Sequence, residues 1–344
     1  MDINGVFLHV QGMFRAGTVL IVGSGSSNAF GLPGMPQLAD HLVKNLVSAF
    51  AAGSKPDLQW AQIKQRLSSG AGLETALKGI DLAPELASGI GIQISECIED
   101  SERAAIAEIV QSPTTHPYGR LLTELMKGVG VLDVVTTNYD RLIEVASAAA
   151  GIRVDTMFHG STLGLLDATQ SKLEHLRRET PTRGKERISF APHVRLAKPH
   201  GSLDWHEIGG RVFRSDLRLD GSRKIIAPGD GKYLAGYEVP FDAQRERANA
   251  AIDKASGFFA LGYGFNDDHL QTHLKTAFSA VPSVVIARTL SPTARQFLSA
   301  STKAVGIERA PDGSGSVILT PGGTLAVNEQ IWQLDELLKK VMSI

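Results

Sequence analysis

Residues 18–31 read TVLIVGSGSSNAFG, and the fold is decided here. Thr18 to Val22 is a short apolar run without alternating polarity, the pattern of a strand buried on both faces of a parallel sheet. The turn that follows, Gly23-Ser24-Gly25-Ser26-Ser27-Asn28-Ala29-Phe30-Gly31, has glycines that let a backbone approach a pyrophosphate, with helix N-terminal amides to face its oxygens. A tight turn of purely structural meaning fits the same residues. Asn28 occupies the third position of the dinucleotide fingerprint, and no acidic strand end follows at the usual spacing, which counts against an ordinary hydride-transfer enzyme.

Working outward, runs of the same kind recur at Val131 to Thr136, Val194 to Lys198, Phe258 to Leu261 and Ser283 to Ala287. Helical patterns lie between them. Leu38, Leu42, Val43, Leu46, Val47 and Phe50 repeat at spacings of three and four, and a second helix opens at Arg141 and runs to Ala150. Strand followed by helix, repeated, predicts an α/β protein: a Rossmann-like, doubly wound parallel sheet with ligands in the crevice beyond the strands' carboxyl ends. We expect one domain spanning 1–344. Its core takes about 15–37, 131–150 and 194–344, with an inserted helical small module at about 38–130 and a second insertion at about 151–193. The charged run Leu173 to Arg187 reads as a solvated helix and loop. Asp220-Gly221 between β-like flanks, Arg211 to Ile226, reads as a hairpin. Asn328 to Ile344 places Ile331, Trp332, Leu334, Leu338 and Val341 on one helical face, expected to pack on the chain's own sheet, with docking of a partner as the alternative.

The 344 residues carry 35 Lys plus Arg against 36 Asp plus Glu, a net charge of −1, so no global field draws the chain to nucleic acid or an anionic membrane. With 43% hydrophobic residues the composition is that of a globular protein. The single cysteine, Cys97, allows neither an intrachain disulfide nor a thiolate cage for zinc. A reducing, cytoplasmic setting is expected, with no signal peptide at Met1 to Phe14 and no membrane-spanning stretch.

Chemistry-bearing residues collect at the strand ends. Thr136-Thr137-Asn138-Tyr139-Asp140 offers an Asn whose paired donor and acceptor can fix a ribose hydroxyl or a water; Asp140 either joins it or caps the next helix. Lys198-Pro199-His200-Gly201-Ser202-Leu203-Asp204-Trp205 sets His200 at the crevice mouth, where a neutral imidazole accepts a proton near pH 7. His159-Gly160-Ser161 repeats the His-Gly-Ser string and stays an alternative. Leu261-Gly262-Tyr263-Gly264-Phe265-Asn266-Asp267-Asp268 is again strand, glycine turn and helix start. His269 and His273, four apart, have helical metal-ligand spacing but lack the glutamate that usually accompanies it, and we expect no metal.

In this order the clusters resemble the sirtuin superfamily, specifically the bacterial sirtuin-like domains of antiphage defence systems. The matching residues are Gly23-Ser24-Gly25-Ser26 with Gly31-Leu32-Pro33, Thr137-Asn138-Tyr139-Asp140, His200-Gly201-Ser202-Leu203-Asp204-Trp205, and Gly262-Tyr263-Gly264-Phe265-Asn266-Asp267. The resemblance implies an NAD site and cleavage of the nicotinamide–ribose bond. Asn138 would orient ribose and the attacking water, and His200 would act as base or position ribose hydroxyls. Gly23, Ser24, Gly25, Ser26, Asn28, Thr137, Asp140, Gly201, Gly262, Tyr263 and Asp267 would lie along the dinucleotide.

Two departures shape the expectation. Protein-deacylating sirtuins carry four zinc-binding cysteines, and they place Asp-Phe-Arg where this chain has Gly34-Met35-Pro36-Gln37. Both favour hydrolysis of NAD as substrate, without metal, by an NADase over peptide deacylation. The alternative is a non-catalytic module that binds NAD or ADP-ribose and drives assembly. The resemblance further implies a homo-oligomer and a protein partner, such as a HerA-type ATPase or a phage-sensing subunit.

Overall fold

The computed structural model describes residues 1–46, 50–179, 187–217, 219, 221–228 and 238–342, with the side chains of 179, 268 and 269 outside that description. In chain order the strands are β1 (Thr18–Val22), β2 (Val131–Thr136), β3 (Arg153–Asp155), β4 (Phe158–His159), β5 (Gly164–Leu166), β6 (Leu176–Glu179), β7 (Arg187–Phe190) and β8 (His193–Ala197). There follow β9 (Gly201–Ile208), β10 (Arg211–Arg214), β11 (Ser222–Ile225), β12 (Gly257–Leu261), β13 (Ser283–Ile286), β14 (Ala304–Arg309), β15 (Ser316–Thr320) and β16 (Gly323–Val327).

The main sheet has nine strands in the order β16-β15-β14-β13-β12-β1-β2-β8-β3. All neighbours from β14 to β3 run parallel, and β15 and β16 add an antiparallel edge. From β1 the chain winds outward through β2 to β8 and β3, then returns to β12 and winds the other way. The topological switch point therefore lies between β1 and β12, where this class of sheet opens a crevice.

Apolar content on consecutive positions follows from burial on both faces. Leu20 and Val22 enter one core cluster and Val19 and Ile21 the other, each at most 1% exposed. Burial of a side chain of this size contributes about 1.5–3 kcal/mol. On the first face pack helices Met35–Asn45, Lys55–Ser68, Pro84–Gln111, Pro117–Met126 and Leu142–Ala149. Helices Phe241–Asp253, Asp268–Ala280 and Pro292–Ser299 cover the second. Residues 38–130 contribute helices and no strand among the described residues. Ion pairs from the long helix Pro84–Gln111 fasten this module: Glu102 to Arg141 at 2.5 Å and Glu99 to Arg223 at 2.6 Å.

Other expectations need correction. The run 173–187 is not a solvated helix, since the helix there is Ala168–Leu173 and β6 then pairs antiparallel with β7; residues 180–186 lie outside the described residues. Both faces of that ribbon meet solvent, Ile188 being 63% exposed, so no apolar period betrays the strands. Asp220 lies outside the described residues, and β10 and β11 flank β9 on opposite sides instead of pairing with each other. The tight hairpin joins β9 to β10 through Gly209 and Gly210, whose positive φ of 58° and 73° suits a two-residue turn. At the C-terminal end the helix is shorter, Leu334–Met342; Ile331, Leu338 and Val341 are buried in the chain's own core, with Trp332 and Leu334 packed against it.

Candidate active site

At the switch point the loops after β1 and β12 meet backbone to backbone. The Gly23 amide donates to the Leu261 carbonyl at 2.8 Å and the Gly25 amide to the Gly262 carbonyl at 3.1 Å. A Cβ on Gly262, whose φ is +55°, would lie 2.1 Å from the Ser26 nitrogen, and one on Gly23 would lie 2.5 Å from the Gly262 carbonyl oxygen. Glycine is required here for loop-to-loop approach. The amides of Gly23, Gly25 and Ser26 are committed to protein carbonyls.

Asn138 sits just beyond β2. Its Nδ2 donates to Ser27 Oγ at 2.9 Å, and Ser27 Oγ donates to Asp140 Oδ2 at 2.8 Å. The other Asp140 oxygen accepts from the Leu142 amide at 3.2 Å, so Asp140 both caps the next helix and anchors the serine. With its nitrogen assigned by this relay, Asn138 Oδ1 is buried and has no hydrogen-bond partner among the described residues. Such an acceptor costs about 1–3 kcal/mol unless something satisfies it.

The loop is tied to the segment bearing His200. Lys198, with its side chain 2% exposed, donates from Nζ to the Asp140 carbonyl at 2.5 Å and to Glu144 Oε1 at 2.9 Å, with the Tyr139 carbonyl at 3.5 Å. The Leu203 amide also donates to the Tyr139 carbonyl, at 3.0 Å, and the Tyr139 hydroxyl donates to the Ile226 carbonyl at 2.6 Å. Burial drives the Glu144 carboxyl above its usual range despite Lys198. Burial acts likewise on Asp204, yet Arg214 and Lys198 hold it below its usual range.

His200 is 5% exposed, and its Nε2 lies 2.6 Å from Asp267 Oδ2, an ion-pair distance without the alignment of a good hydrogen bond. The Asp267 carbonyl accepts from the Leu270 and Gln271 amides, which fixes this carboxylate to the start of helix Asp268–Ala280. Tyr263 is buried, and burial together with Asp267 raises its phenol well above the ordinary value.

Together these loops line a cleft of about 220 Å³. Of the expected residues it gathers Gly23, Ser24, Thr137, Asn138, Asp140, His200, Gly262, Tyr263 and Asp267. Gly25, Ser26 and Asn28 line an adjoining cavity of about 520 Å³ instead, which shares Gly262, Tyr263 and Gly264 with the cleft. Gly201 belongs to neither: with φ +89°, a Cβ there would stand 2.1 Å from the Lys224 carbonyl oxygen, so its role is close packing against β11. His159 is remote from the cleft and half-exposed on β4, paired with Glu174 at 2.6 Å. His273 pairs with Asp253 at 2.7 Å. The side chain of His269 lies outside the described residues. Among the described residues no group of three or more His, Cys, Asp or Glu is arranged to hold a metal.

Glu74, Leu38 and Ile98, from the helical module, and Met35, just before it, complete the wall, and sequence reasoning missed them because nothing local distinguishes them from packing residues. Ser27 was equally unmarked. Among the described residues, the acidic and basic side chains lining the cleft are Glu74, Asp140 and Asp267, with no Lys or Arg. A cationic ring and a ribosyl centre gaining positive charge suit that field, whereas phosphates are repelled by it.

Residues 133–302 match the model of a SIR2-like domain, a stretch containing Asn138, His200 and Asp267 but starting after the first glycine turn. No curated protein matches the chain. Among solved structures, a mutant Sir2 homologue in complex with 2′-O-acetyl ADP ribose is similar at 13% identity and a TM-score of 0.46, over 100% of this chain and 97% of that one. Sir2 bound to acetylated peptide is similar at 15% identity and a TM-score of 0.43, over 100% and 98%. A third, described as the structural basis for the mechanism and regulation of Sir2 enzymes, gives 12% and 0.42, over 99% of both chains. No helix among the described residues is long and apolar enough to cross a membrane.

Proposed function

We propose that this chain is an NAD+ glycohydrolase, converting NAD+ and water to nicotinamide, ADP-ribose and a proton. The observation that carries the reading is the buried, unpartnered Oδ1 of Asn138 in a cleft it shares with His200. A ribose hydroxyl or a water is the donor that this oxygen lacks. The SIR2-like match over residues 133–302 supports NAD as the ligand.

The bond between ribose C1′ and the ring nitrogen breaks, and its electron pair neutralises the nicotinamide cation, so the leaving group needs no acid. The developing ribosyl cation meets the field of Glu74, Asp140 and Asp267. Water held by Asn138 attacks C1′ and His200 takes its proton, while the Asp267 carboxylate, 2.6 Å from Nε2, stabilises the charge the imidazole gains. Deacylation would need an acyl-peptide to replace water at C1′.

Nicotinamide release from NAD+ tests this directly. Asn138→Ala and His200→Ala should each lower the rate by about 10²-fold or more, whereas His159→Ala leaves it unchanged. Equal trace release by wild type and both cleft variants, with neighbouring gene products added as well as without, refutes catalysis and leaves, where NAD still binds, an NAD-binding assembly module. The sirtuin-like resemblance supports a setting as effector of bacterial antiphage defence by NAD depletion, as a homo-oligomer held latent until a protein partner such as a HerA-type ATPase or phage-sensing subunit engages. The same assay, run across protein concentration and with neighbouring gene products added, tests that setting by a rise in specific activity.

A further inference from the structure

We propose that the cavity beside the cleft selects a 2′-phosphate on the adenosine ribose, making a phosphorylated dinucleotide of the NADP class the preferred substrate. This rests on the reaction proposed above. The acidic cleft accepts the cationic end of a dinucleotide and repels its phosphates, so the remainder of the molecule is driven across the shared edge of Gly262, Tyr263 and Gly264 into the 520 Å³ cavity. There Arg288 and Thr289 stand just beyond the carboxyl end of β13, facing a space also lined by Tyr118 and Trp332.

In doubly wound sheets an acidic strand end binds an unmodified ribose through its hydroxyls, whereas an arginine nearby accommodates a 2′-phosphate. The residues after β13 are Ala287, Arg288 and Thr289, with no carboxylate. The one carboxylate lining this cavity among the described residues, Asp335, is occupied by Arg120 and Lys339, each at 2.6 Å. Arg288 is exposed and makes no ion pair among the described residues. Its planar guanidinium can take a phosphate through two parallel hydrogen bonds, and the Thr289 hydroxyl adds a third donor.

Calorimetric titration of the full chain with 2′-phospho-ADP-ribose and with ADP-ribose tests this independently of turnover. Wild type should bind the phosphorylated ligand about 10- to 100-fold more tightly. Arg288→Ala should bring the ratio to about one, and Arg288→Lys should retain part of it. Equal or tighter binding of ADP-ribose by wild type, or a preference that survives Arg288→Ala, overturns the proposal. Nicotinamide release from NAD+ and NADP+ separates the two failures. Release that depends on Asn138 and His200, without selection for the phosphate, sinks the proposal alone; no release from either dinucleotide, even at high protein concentration and with neighbouring gene products added, sinks the reaction and the proposal with it.

Discussion

Lys198 is the residue on which the geometry of the cleft turns, although it does not line it. A buried ammonium must be paired, and this one spends its protons on the Asp140 carbonyl and Glu144, with the Tyr139 carbonyl at the limit of reach. Lys198→Met should cost about 3–5 kcal/mol in urea unfolding, because it leaves the buried Glu144 carboxyl without its ion-pair partner and the Asp140 carbonyl without that donor. Lys198→Met with Glu144→Leu should recover most of that stability, yet nicotinamide release should remain depressed in kcat more than in KM. Full recovery of turnover by the double variant would reduce Lys198 to a packing role. At this scale Asn138, His200 and Asp267 were legible, because the end of a parallel strand is where an α/β sheet exposes its chemistry. The approach of His200 to Asp267 was not, since it joins segments that only the winding of the sheet brings together.

The joint between the loops after β1 and β12 belongs to the scale of elements. Gly262→Ala forces a Cβ into the Ser26 nitrogen and holds alanine at a left-handed φ, which alone costs about 1–2 kcal/mol. The melting midpoint should drop, and kcat and KM should worsen together, because cleft and cavity share this edge; an unaltered melting curve would contradict the account. The glycine string was visible in the sequence. Its two meanings, nearness to a phosphate and nearness to another backbone, leave the same residues behind, and packing separates them. The parallel strands were readable because burial on both faces makes them uniformly apolar, whereas the wet ribbon of β6 and β7 left no period to read.

For the whole molecule, acid is the informative stress. Burial lowers the imidazole pKa of His116, His175 and His206 from the ordinary 6.5, in three separate regions; His193, stacked on His175 at 4.4 Å, and Arg223, beside His206, push the same way. Below about 6.5 the unfolded chain binds more protons than the fold, so these groups keep their full contribution above that value and lose it as pH falls through it. Glu144, raised by burial, acts oppositely, contributing at low pH and losing that contribution as pH rises through its folded value. The urea midpoint should fall from pH 7 to pH 5, and His175→Gln with His206→Gln should flatten the slope. An unchanged slope in that variant would remove the histidines from the explanation.

The pairing of β1 with β12 also has a consequence for biosynthesis. β1 leaves the ribosome well before the loop after β12 that completes its rim through Asp267. A nascent chain carries Asn138 and His200 before it has the wall that completes their cleft. Closure of the cleft is thus withheld until the loop after β12 has been made, a delay written into the winding of the sheet.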